Sequence, residues 1–408
     1  MHVIFLEPAF PANQREFVRA LHSVGATVTG IGDRPVHSLD NELKSWLSGY
    51  EQVPSTANTQ AVVDAVRRIQ ARGPWVDKLE CTIEALMYTA AETRQATNIP
   101  GLSVEQTTLC RDKRQMKQFL RARGIPCARI ADVSTAAELV AFVEQVGFPI
   151  ILKPVDGAGA HGTYKIDDVP TLQRVIAETG LNGRQRGLVA EEFISGHEGF
   201  YDTLTVDGRV VFESVAHYYP NVLEAMKTRW ISPQVVVTNR IDAPGYGELR
   251  QFGRRVIGAL QLGTTPTHME WFVGDKGLYF SEIGARPPGC RTWDLYCHGN
   301  DMDIYVEWAR AVVHGHAAPR PSRRFAVGLI ALRPSQDGVY SGYSGIDEVR
   351  HRYGDCILES HFPAIGSRTA EVGAGYLGHA WMRVRHPDYD RCREILDDIG
   401  RTVKVWAR

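Results

Sequence analysis

Strand and helix patterns alternate through the first part of this chain, and this alternation restricts its N-terminal fold strongly. Residues 2–6 are uniformly apolar, as in a buried strand, residues 13–24 carry apolar side chains at helical spacing, and residues 27–31 form a second apolar run. This order is typical of a parallel sheet covered by helices. The pattern continues to about residue 105 and predicts an α/β unit.

The rest of the chain is predicted to hold a linker helix, a strand-rich centre and a small C-terminal unit. Asp112 can cap a helix over residues 113–123 that stops at Gly124. Strands then dominate to about residue 283, with turn signals at Asp207-Gly208 and at residues 275–277. The C-terminal part mixes strands with a closing helix, so the fold class combines α/β and α+β. The predicted units are residues 1–108, 109–125, 126–190, 191–320 and 321–408.

Charge and cysteine content narrow the class of partner. The 408 residues carry a net charge of -1, so no long-range field attracts nucleic acid or an anionic membrane, and a small-molecule partner is expected. The seven cysteines are odd in number and lack CxxC spacing, which predicts free thiols. The absence of a basic leader and of a long apolar run leads us to expect a cytoplasmic protein.

A lysine followed by a glycine-rich loop is the first candidate site. Lys153 ends an apolar strand, and Gly157, Gly159 and Gly162 follow it. Glycines let backbone amides approach phosphate oxygens, and the lysine adds a positive charge. A dinucleotide-binding fingerprint requires a helix directly after the loop, but residues 163–167 have a strand pattern instead. The loop also lacks the signature of a P-loop. The segment predicts a hairpin over a nucleotide, or else a solvent loop whose glycines only form turns.

Two glutamates on consecutive strands are the second candidate. A three-residue loop is expected to pair Gly274 with Leu278. This register places Glu270 directly opposite Glu282, and like charges in that position repel unless a cation such as Mg²⁺ lies between them. In a register shifted by one residue, one glutamate would point to solvent instead. Arg286, four residues after Glu282, is expected to meet the same carboxylates.

An acidic strand end is the third candidate. The apolar residues 188–190 lead into Glu191 and Glu192, and Ile194 and Glu198 follow shortly after. Backbone groups at such an end can contact an adenine, and a carboxylate can bind ribose hydroxyls. Taken alone, the segment is explained equally well as an exposed acidic strand end.

Together these segments resemble the ATP-grasp superfamily. The resemblance rests on Asp112-Lys113, Lys153 with its loop, the segment 191–198, the pair Glu270 and Glu282, and Arg286, which occur in the family's order. No single motif is specific, but the ordered set is. It implies an ATP-grasp fold with an N-terminal Rossmann-like pre-ATP-grasp domain and a small C-terminal α+β domain.

The resemblance implies that two groups of residues bind ATP. The phosphates would be contacted by Lys113, Lys153, Gly157, Gly159 and Gly162. The adenine would be contacted by Glu191, Glu192 and Ile194, and the ribose by Glu198.

The resemblance also implies metal and catalytic roles. Glu270 and Glu282 would bridge two Mg²⁺ ions, Lys227 would reach the γ-phosphate, and Arg286 would steady the acyl phosphate. The chain departs from the family at Gly284, where an asparagine is common. The second Mg²⁺ would then lack one side-chain ligand, which water can replace.

The implied activity is that of an ATP-dependent ligase. The layout most resembles two branches of the family, the L-amino acid ligases and the formate-using glycinamide ribonucleotide transformylases, and the segment from Ser281 to Pro287 is especially similar to the latter. Such a ligase activates a carboxylate as an acyl phosphate and couples it to an amine, so small carboxylates and amines are the expected partners. A biotin-carboxylase-like enzyme, a formate-dependent transformylase and a nucleotide-binding module without catalysis stay open as alternatives. A homodimer is also left open.

Overall fold

The computed structural model describes residues 1–154, 162–181 and 187–408. Gly157 and Gly159 therefore lie outside the described residues. Three larger sheets organise the described part: a parallel N-terminal sheet, a small antiparallel sheet and a large antiparallel sheet. No helix in these ranges is long and apolar enough to cross a membrane.

The N-terminal unit is a four-stranded parallel sheet with helices around it. Its strands are β1 (His2–Leu6), β2 (Thr27–Gly32), β3 (Gly49–Gln52) and β4 (Lys78–Glu80), in the order β3-β2-β1-β4. Its helices are α1 (Gln14–Ser23), α2 (Asn41–Trp46), α3 (Thr59–Arg72), α4 (Met87–Thr97) and α5 (Val104–Arg111). Every residue of β1 is buried, because helices cover both faces of a parallel sheet. The predicted α/β unit is confirmed.

The linker helix α6 (Lys113–Arg121) begins as predicted. The Asp112 side chain accepts hydrogen bonds from the amides of Arg114 and Gln115, so Asp112 is the N-cap. The helix ends at Arg121, two residues before the predicted end, and Gly124 follows with a φ of 72°. The cap makes Lys113 the first residue of the helix.

The small sheet contains the strand that carries the candidate lysine. Its strands are β5 (Ile130–Val133), β6 (Ile150–Pro154), β7 (Tyr164–Ile166) and β8 (Leu188–Glu192), with helices α7 (Ala136–Val146) and α8 (Val169–Glu178). The order β5-β8-β6-β7 is antiparallel throughout. Since β6 pairs with β8, Lys153 and Glu191 come close together.

The large sheet contains most of the strands in the rest of the chain. They are β9 (His197–Val206), β10 (Arg209–Tyr219), β11 (Gln234–Val237), β12 (Thr265–Gly274), β13 (Gly277–Gly284), β14 (Ala326–Leu332), β16 (Ile357–His361) and β17 (Ala380–His386). Their order in the sheet is β13-β12-β9-β10-β11-β14-β17-β16. The turn predicted at Asp207-Gly208 joins β9 to β10, and both residues have the positive φ that a two-residue hairpin needs.

Helices and one further strand pair complete the fold. The helices are α9 (Val222–Lys227), α10 (Gly247–Leu260), α11 (Thr292–Asn300), α12 (Ile304–His314), α13 (Ile346–Tyr353) and α14 (Tyr389–Thr402). The strands β15 (Tyr340–Ser344) and β18 (Lys404–Ala407) pair with each other. Because β14, β16 and β17 extend the large sheet, the predicted boundary between residues 320 and 321 falls between strands of one sheet.

Candidate active site

A cleft of about 670 Å³ lies between the small sheet and the large sheet. Residues from β6, β8, β9, β12 and β13 line it, together with the start of α6 and part of α9. Eight residues selected from the sequence are among them: Lys113, Lys153, Glu191, Glu192, Ile194, Glu198, Glu270 and Glu282. The fold thus collects most of the candidate segments around one space.

The hairpin β12–β13 places Glu270 opposite Glu282, as the sequence predicts. The predicted pairing of Gly274 with Leu278 is wrong, because Gly274 pairs with Gly277. A register shift directly after Glu270 adds one residue to β13 and restores the expected pairing of the glutamates. Both carboxylates line the cleft.

Lys113 neutralises Glu282. The Lys113 ammonium forms an ion pair with the Glu282 carboxylate. Burial opposes the ionisation of Glu282, but the charge and hydrogen bond of Lys113 outweigh it and lower the pKa of Glu282 to about 2. The same interaction raises the pKa of Lys113. Glu282 therefore remains ionised near neutral pH.

Glu191 lies between two lysines, one of which the sequence analysis missed. Its carboxylate pairs with Lys153 and with Lys117, whose side chain is only 2% exposed. Burial opposes the ionisation of Glu191, but both lysines together lower its pKa. Lys117 follows Lys113 by four positions on α6, so helical spacing could have shown that both face the same way.

Glu192, Phe193 and Ile194 line one part of the cleft. Glu192 accepts a hydrogen bond from Lys276 at 3.1 Å, and the Lys165 ammonium lies 4.7 Å from the centre of the Phe193 ring. Ile194 adds an apolar wall. An apolar surface beside hydrogen-bonding groups is the kind of site that holds a planar base.

Glu198 is a third carboxylate in the same cleft. It accepts a hydrogen bond from the amide of Val222 at 2.7 Å. Burial, followed by the charges of Glu270 and Glu282, raises the pKa of Glu198 to about 8. Crowded carboxylates of this kind suit a cation as a further partner.

The residues of the cleft fit Mg²⁺ if the oxygens of a triphosphate supply its remaining ligands. The described ranges contain no cluster of three or more His, Cys, Asp or Glu side chains that could hold a metal ion unaided. Mg²⁺ is usually bound by one or two carboxylates, with phosphate oxygens and water as the other ligands. Glu270 and Glu282 match that number.

A buried histidine beside Glu270 was also missed. The Nδ1 atom of His268 hydrogen-bonds to Asp202 at 2.8 Å, and Tyr296 donates to the other oxygen of Asp202 at 2.5 Å. The Nε2 atom of His268 lies 3.7 Å from Glu270. Burial opposes protonation, but Asp202 outweighs it and raises the pKa of His268 to about 9. Because side chains two residues apart on a strand share a face, the position of His268 relative to Glu270 was a usable signal.

We expect stability to depend on pH through His268. A histidine whose folded pKa lies near 9, against an ordinary 6.5, stabilises the fold fully below pH 6.5 and loses this contribution as pH rises through 9. The difference corresponds to roughly 3 kcal/mol. Urea unfolding at a pH below 6.5 and at a pH above 9 measures this contribution. Between the two conditions, His268→Gln should lose less unfolding free energy than the wild type. Parallel losses in the two proteins would contradict the assignment.

Arg286 forms an ion pair with Glu84, a residue of the N-terminal unit. Its Nε atom donates to Glu84 at 2.9 Å, and Glu84 also pairs with Arg111. Burial opposes the ionisation of Glu84, but Arg286 and Arg111 outweigh it and lower the pKa of Glu84. Arg286 thus joins the hairpin to the N-terminal unit. The carboxylate that it pairs with is Glu84, and not Glu270 or Glu282 as the sequence led us to expect. Its contact with the acyl phosphate stays a prediction.

Two glycines of the site lie where a side chain would crowd a neighbouring residue. At Gly162, which has a φ of 68°, an added Cβ would lie 3.0 Å from Pro154 at the end of β6. At Gly284, an added Cβ would lie 3.3 Å from the Cγ atom of Arg286. Gly284 therefore leaves room for the Arg286 side chain.

The variant Gly284→Asn is expected to lower the free energy of unfolding by about 1 to 3 kcal/mol, because it overpacks against Arg286 and disturbs the pair with Glu84. Urea denaturation measures this. Gly289→Asn is the matched control, since no atom lies within 4 Å of an added Cβ there. Equal losses in both variants would contradict the steric explanation.

The remaining predicted residue is Lys227. It is the last residue of α9, whose neighbouring residues line the cleft, but its side chain lies outside what the structure describes. Its role stays a prediction.

Comparison with known proteins agrees with this geometry. The profile of the ATP-grasp domain family matches residues 118–298. The L-arginine-specific L-amino acid ligase of Bacillus subtilis is 29% identical over 222 residues, which are 53% of this chain and 52% of the ligase. A D-alanine--D-alanine ligase of Xylella fastidiosa is 34% identical over 110 residues, 26% of this chain and 35% of that protein. The chain thus spans about half the length, or less, of these curated relatives.

Solved structures show the same fold over nearly the full length. An L-amino acid ligase from Bacillus licheniformis aligns with a TM-score of 0.75 at 18% identity, covering 100% of this chain and 98% of that one. The N5-carboxyaminoimidazole ribonucleotide synthetase from Thermotoga maritima aligns with a TM-score of 0.69 at 17% identity, covering 100% and 99%. Residues 118–298 are therefore an ATP-grasp domain, and the chain has the ATP-grasp fold.

Proposed function

We propose that this protein is an ATP-dependent ligase that activates a carboxylate as an acyl phosphate and couples it to an amine, with release of ADP and phosphate. The observation that carries the proposal is the pair Glu270 and Glu282, which face each other in a cleft that also contains Lys113 and Lys153. Carboxylates for a metal beside lysines for phosphates are what phosphoryl transfer requires of a protein. The name of the Bacillus subtilis relative supports this reaction class.

The nucleotide is assigned to the cleft between the two sheets. Glu192, Ile194 and the strand end at Glu191 would surround the adenine, and Glu198 would bind the ribose. Lys113 and Lys153 would offset the charge of the phosphates. Glu270 and Glu282 would hold Mg²⁺, which supplies further charge neutralisation when bound.

The proposed reaction has two steps. An oxygen of the substrate carboxylate attacks the γ-phosphorus of ATP, and the bond from this phosphorus to the bridging oxygen breaks, which releases ADP. The amine nitrogen then attacks the acyl carbon, phosphate leaves, and the nitrogen loses a proton. Positive side chains would stabilise the charge that develops on the phosphoryl group.

The test is a phosphate-release screen of the purified chain with Mg-ATP and pairs of amino acids, followed by mass spectrometry of the product. We expect ADP, phosphate and an amide whose mass is the sum of the two substrates minus water. ADP formation that needs no amine would contradict the proposal.

The same assay separates the alternatives. Phosphate release that depends on bicarbonate alone would indicate a carboxylating enzyme, and release that depends on formate and a ribonucleotide would indicate a transformylase. Tight binding of ATP without ADP formation in any arm would indicate a nucleotide-binding module.

A further inference from the structure

A second polar cluster lies where α9 meets the C-terminal residues. It consists of Arg229, just after α9, Arg333, just after β14, and Tyr376 and His379, which precede β17. We call these four residues the arginine cluster. Arg333, Tyr376 and His379 are 8%, 4% and 0% exposed. Arg333 donates to the carbonyl oxygen of Thr228, the residue before Arg229, at 3.4 Å, which brings the two arginines close together. Arg333 and Arg229 also lower the pKa of His379, after the larger effect of burial.

Each member has a buried polar atom that lacks a hydrogen-bond partner within the described part of the chain. These atoms are Nη1 of Arg229, Nε of Arg333, the hydroxyl of Tyr376 and both ring nitrogens of His379. Buried polar atoms are nearly always paired in folded proteins, because leaving them unpaired is unfavourable. The two arginines and the tyrosine can all donate hydrogen bonds, so together they point to a group that accepts them, while His379 also interacts with a backbone group of Val372.

The charge of the cluster specifies the kind of group. Arg333 donates to the carbonyl oxygens of Ala225 at 2.5 Å and Thr228 at 3.4 Å, and burial and Arg229 lower its pKa, with no carboxylate among the groups that shift it. Arg229 pairs with Asp337 through its other terminal nitrogen. The cluster therefore has an excess of positive charge in a buried place, which favours an anion.

Tyr376 connects the cluster to the active-site cleft. Its ring lies against that of Tyr218, with centroids 6.5 Å apart and planes 28° apart, and Tyr218 donates a hydrogen bond to Glu270 at 3.3 Å. Burial raises the pKa of Tyr376, and both Glu198 and Glu270 contribute to the rise, as they would for a hydroxyl near the cleft carboxylates. A ligand of the arginine cluster would thus lie close to the reacting groups.

We propose that the arginine cluster binds a carboxylate of the amine substrate, so that this substrate is an amino acid or another amine that carries a carboxylate. The inference rests on the proposed ligase function. The carboxylate that becomes the acyl phosphate must reach the phosphates beside Glu270 and Glu282. The carboxylate at Arg333 is therefore a second one, and a guanidinium with a free Nε atom is well suited to it.

The kinetic test compares an accepted amine substrate with its carboxamide, which has the same shape but no charge. The wild type is expected to prefer the carboxylate by about 100-fold in kcat/KM, because the carboxamide leaves the arginine unpaired. In Arg333→Met the preference should fall to within about 3-fold, while the KM for ATP stays within about 3-fold. Arg333→Lys should retain part of the preference, since it keeps the charge.

Matched variants separate recognition from packing. Tyr201 is also a buried tyrosine, but its hydroxyl donates to Glu213 at 2.7 Å and no member of the arginine cluster is among the groups that shift its pKa. Tyr201→Phe should leave the preference unchanged, whereas Tyr376→Phe should reduce it by about 10-fold. Tyr376→Phe also serves as the test variant if Arg333→Met does not fold. An unaltered preference in Arg333→Met, or in Tyr376→Phe in that case, would overturn the proposal. The proposal would also be overturned if the preference depended on a second carboxylate of the substrate that is activated as the acyl phosphate.

A binding test keeps this inference separate from the proposed reaction. Acetate should raise the midpoint of thermal unfolding by about 2 °C over acetamide at equal ionic strength in the wild type, and by much less in Arg333→Met. If no substrate pair yields ADP but this difference appears, the ligase proposal fails and the anion site stands. If acetate and acetamide act alike in the wild type, the cluster holds only water and the inference is wrong.

Discussion

Replacing Glu282 with glutamine is expected to lower the rate of ADP formation at saturating Mg-ATP by at least about 100-fold. The change keeps the shape of the side chain but removes the negative charge that pairs with Lys113 and faces Glu270. That charge matters most as the phosphoryl group is transferred, so kcat should fall more than ATP affinity. The fold should survive, because the Lys113 and Glu282 side chains are 36% and 34% exposed and water can solvate the lysine.

The measurement is ADP release with the substrate pair found in the phosphate-release screen, together with calorimetric titration of ATP. Asp275→Asn, in the loop of the same hairpin, is the matched control and should keep wild-type turnover. Unchanged turnover in Glu282→Gln would remove Glu282 from the mechanism.

The largest expected effect on stability is that of Glu191→Gln, at about 3 to 5 kcal/mol of unfolding free energy. Glu191 is the shared partner of Lys117 and Lys153, and the Lys117 side chain is 2% exposed. Without the carboxylate, Lys117 would remain charged in a buried place or would have to lose its proton, and both outcomes are unfavourable. Urea denaturation of the variant and the wild type measures the loss.

Glu192→Gln provides the control for this prediction, because it is the adjacent residue on the same strand. Glu192 pairs with Lys276, whose side chain is 65% exposed, so its loss should cost at most about 1 kcal/mol. Similar losses in the two variants would show that the pairing of Glu191 with the buried lysine does not stabilise the fold.

Features that depend on neighbours in the chain were predicted well. The cap at Asp112 and the turn at Asp207-Gly208 follow from local hydrogen bonding and backbone conformation, and both are present. The pairing of Glu270 with Glu282 was also predicted, although the loop was assigned one residue too many and a bulge in β13 compensated for the error. Bulges depend on packing against neighbouring strands, so sequence spacing does not reveal them.

The residues that were missed carried signals that were too weak alone. Lys117 shares a helix face with Lys113, and His268 shares a strand face with Glu270, but neither pattern says what lies opposite. The functional roles assigned to Lys113, Lys153, Glu191 and the other predicted residues stay predictions until substrates are bound.

By itself, the amino-acid sequence determined the alternation of strands and helices near the N-terminus, the strand ends that carry acidic and basic side chains, and the hairpin that joins two carboxylates. Only the tertiary structure decided which cation meets which carboxylate. Lys117 and Glu191 are 74 positions apart, and Arg286 and Glu84 are 202 apart. The energy of an ion pair depends on distance and burial in the folded molecule, and neither can be read from separation along the chain.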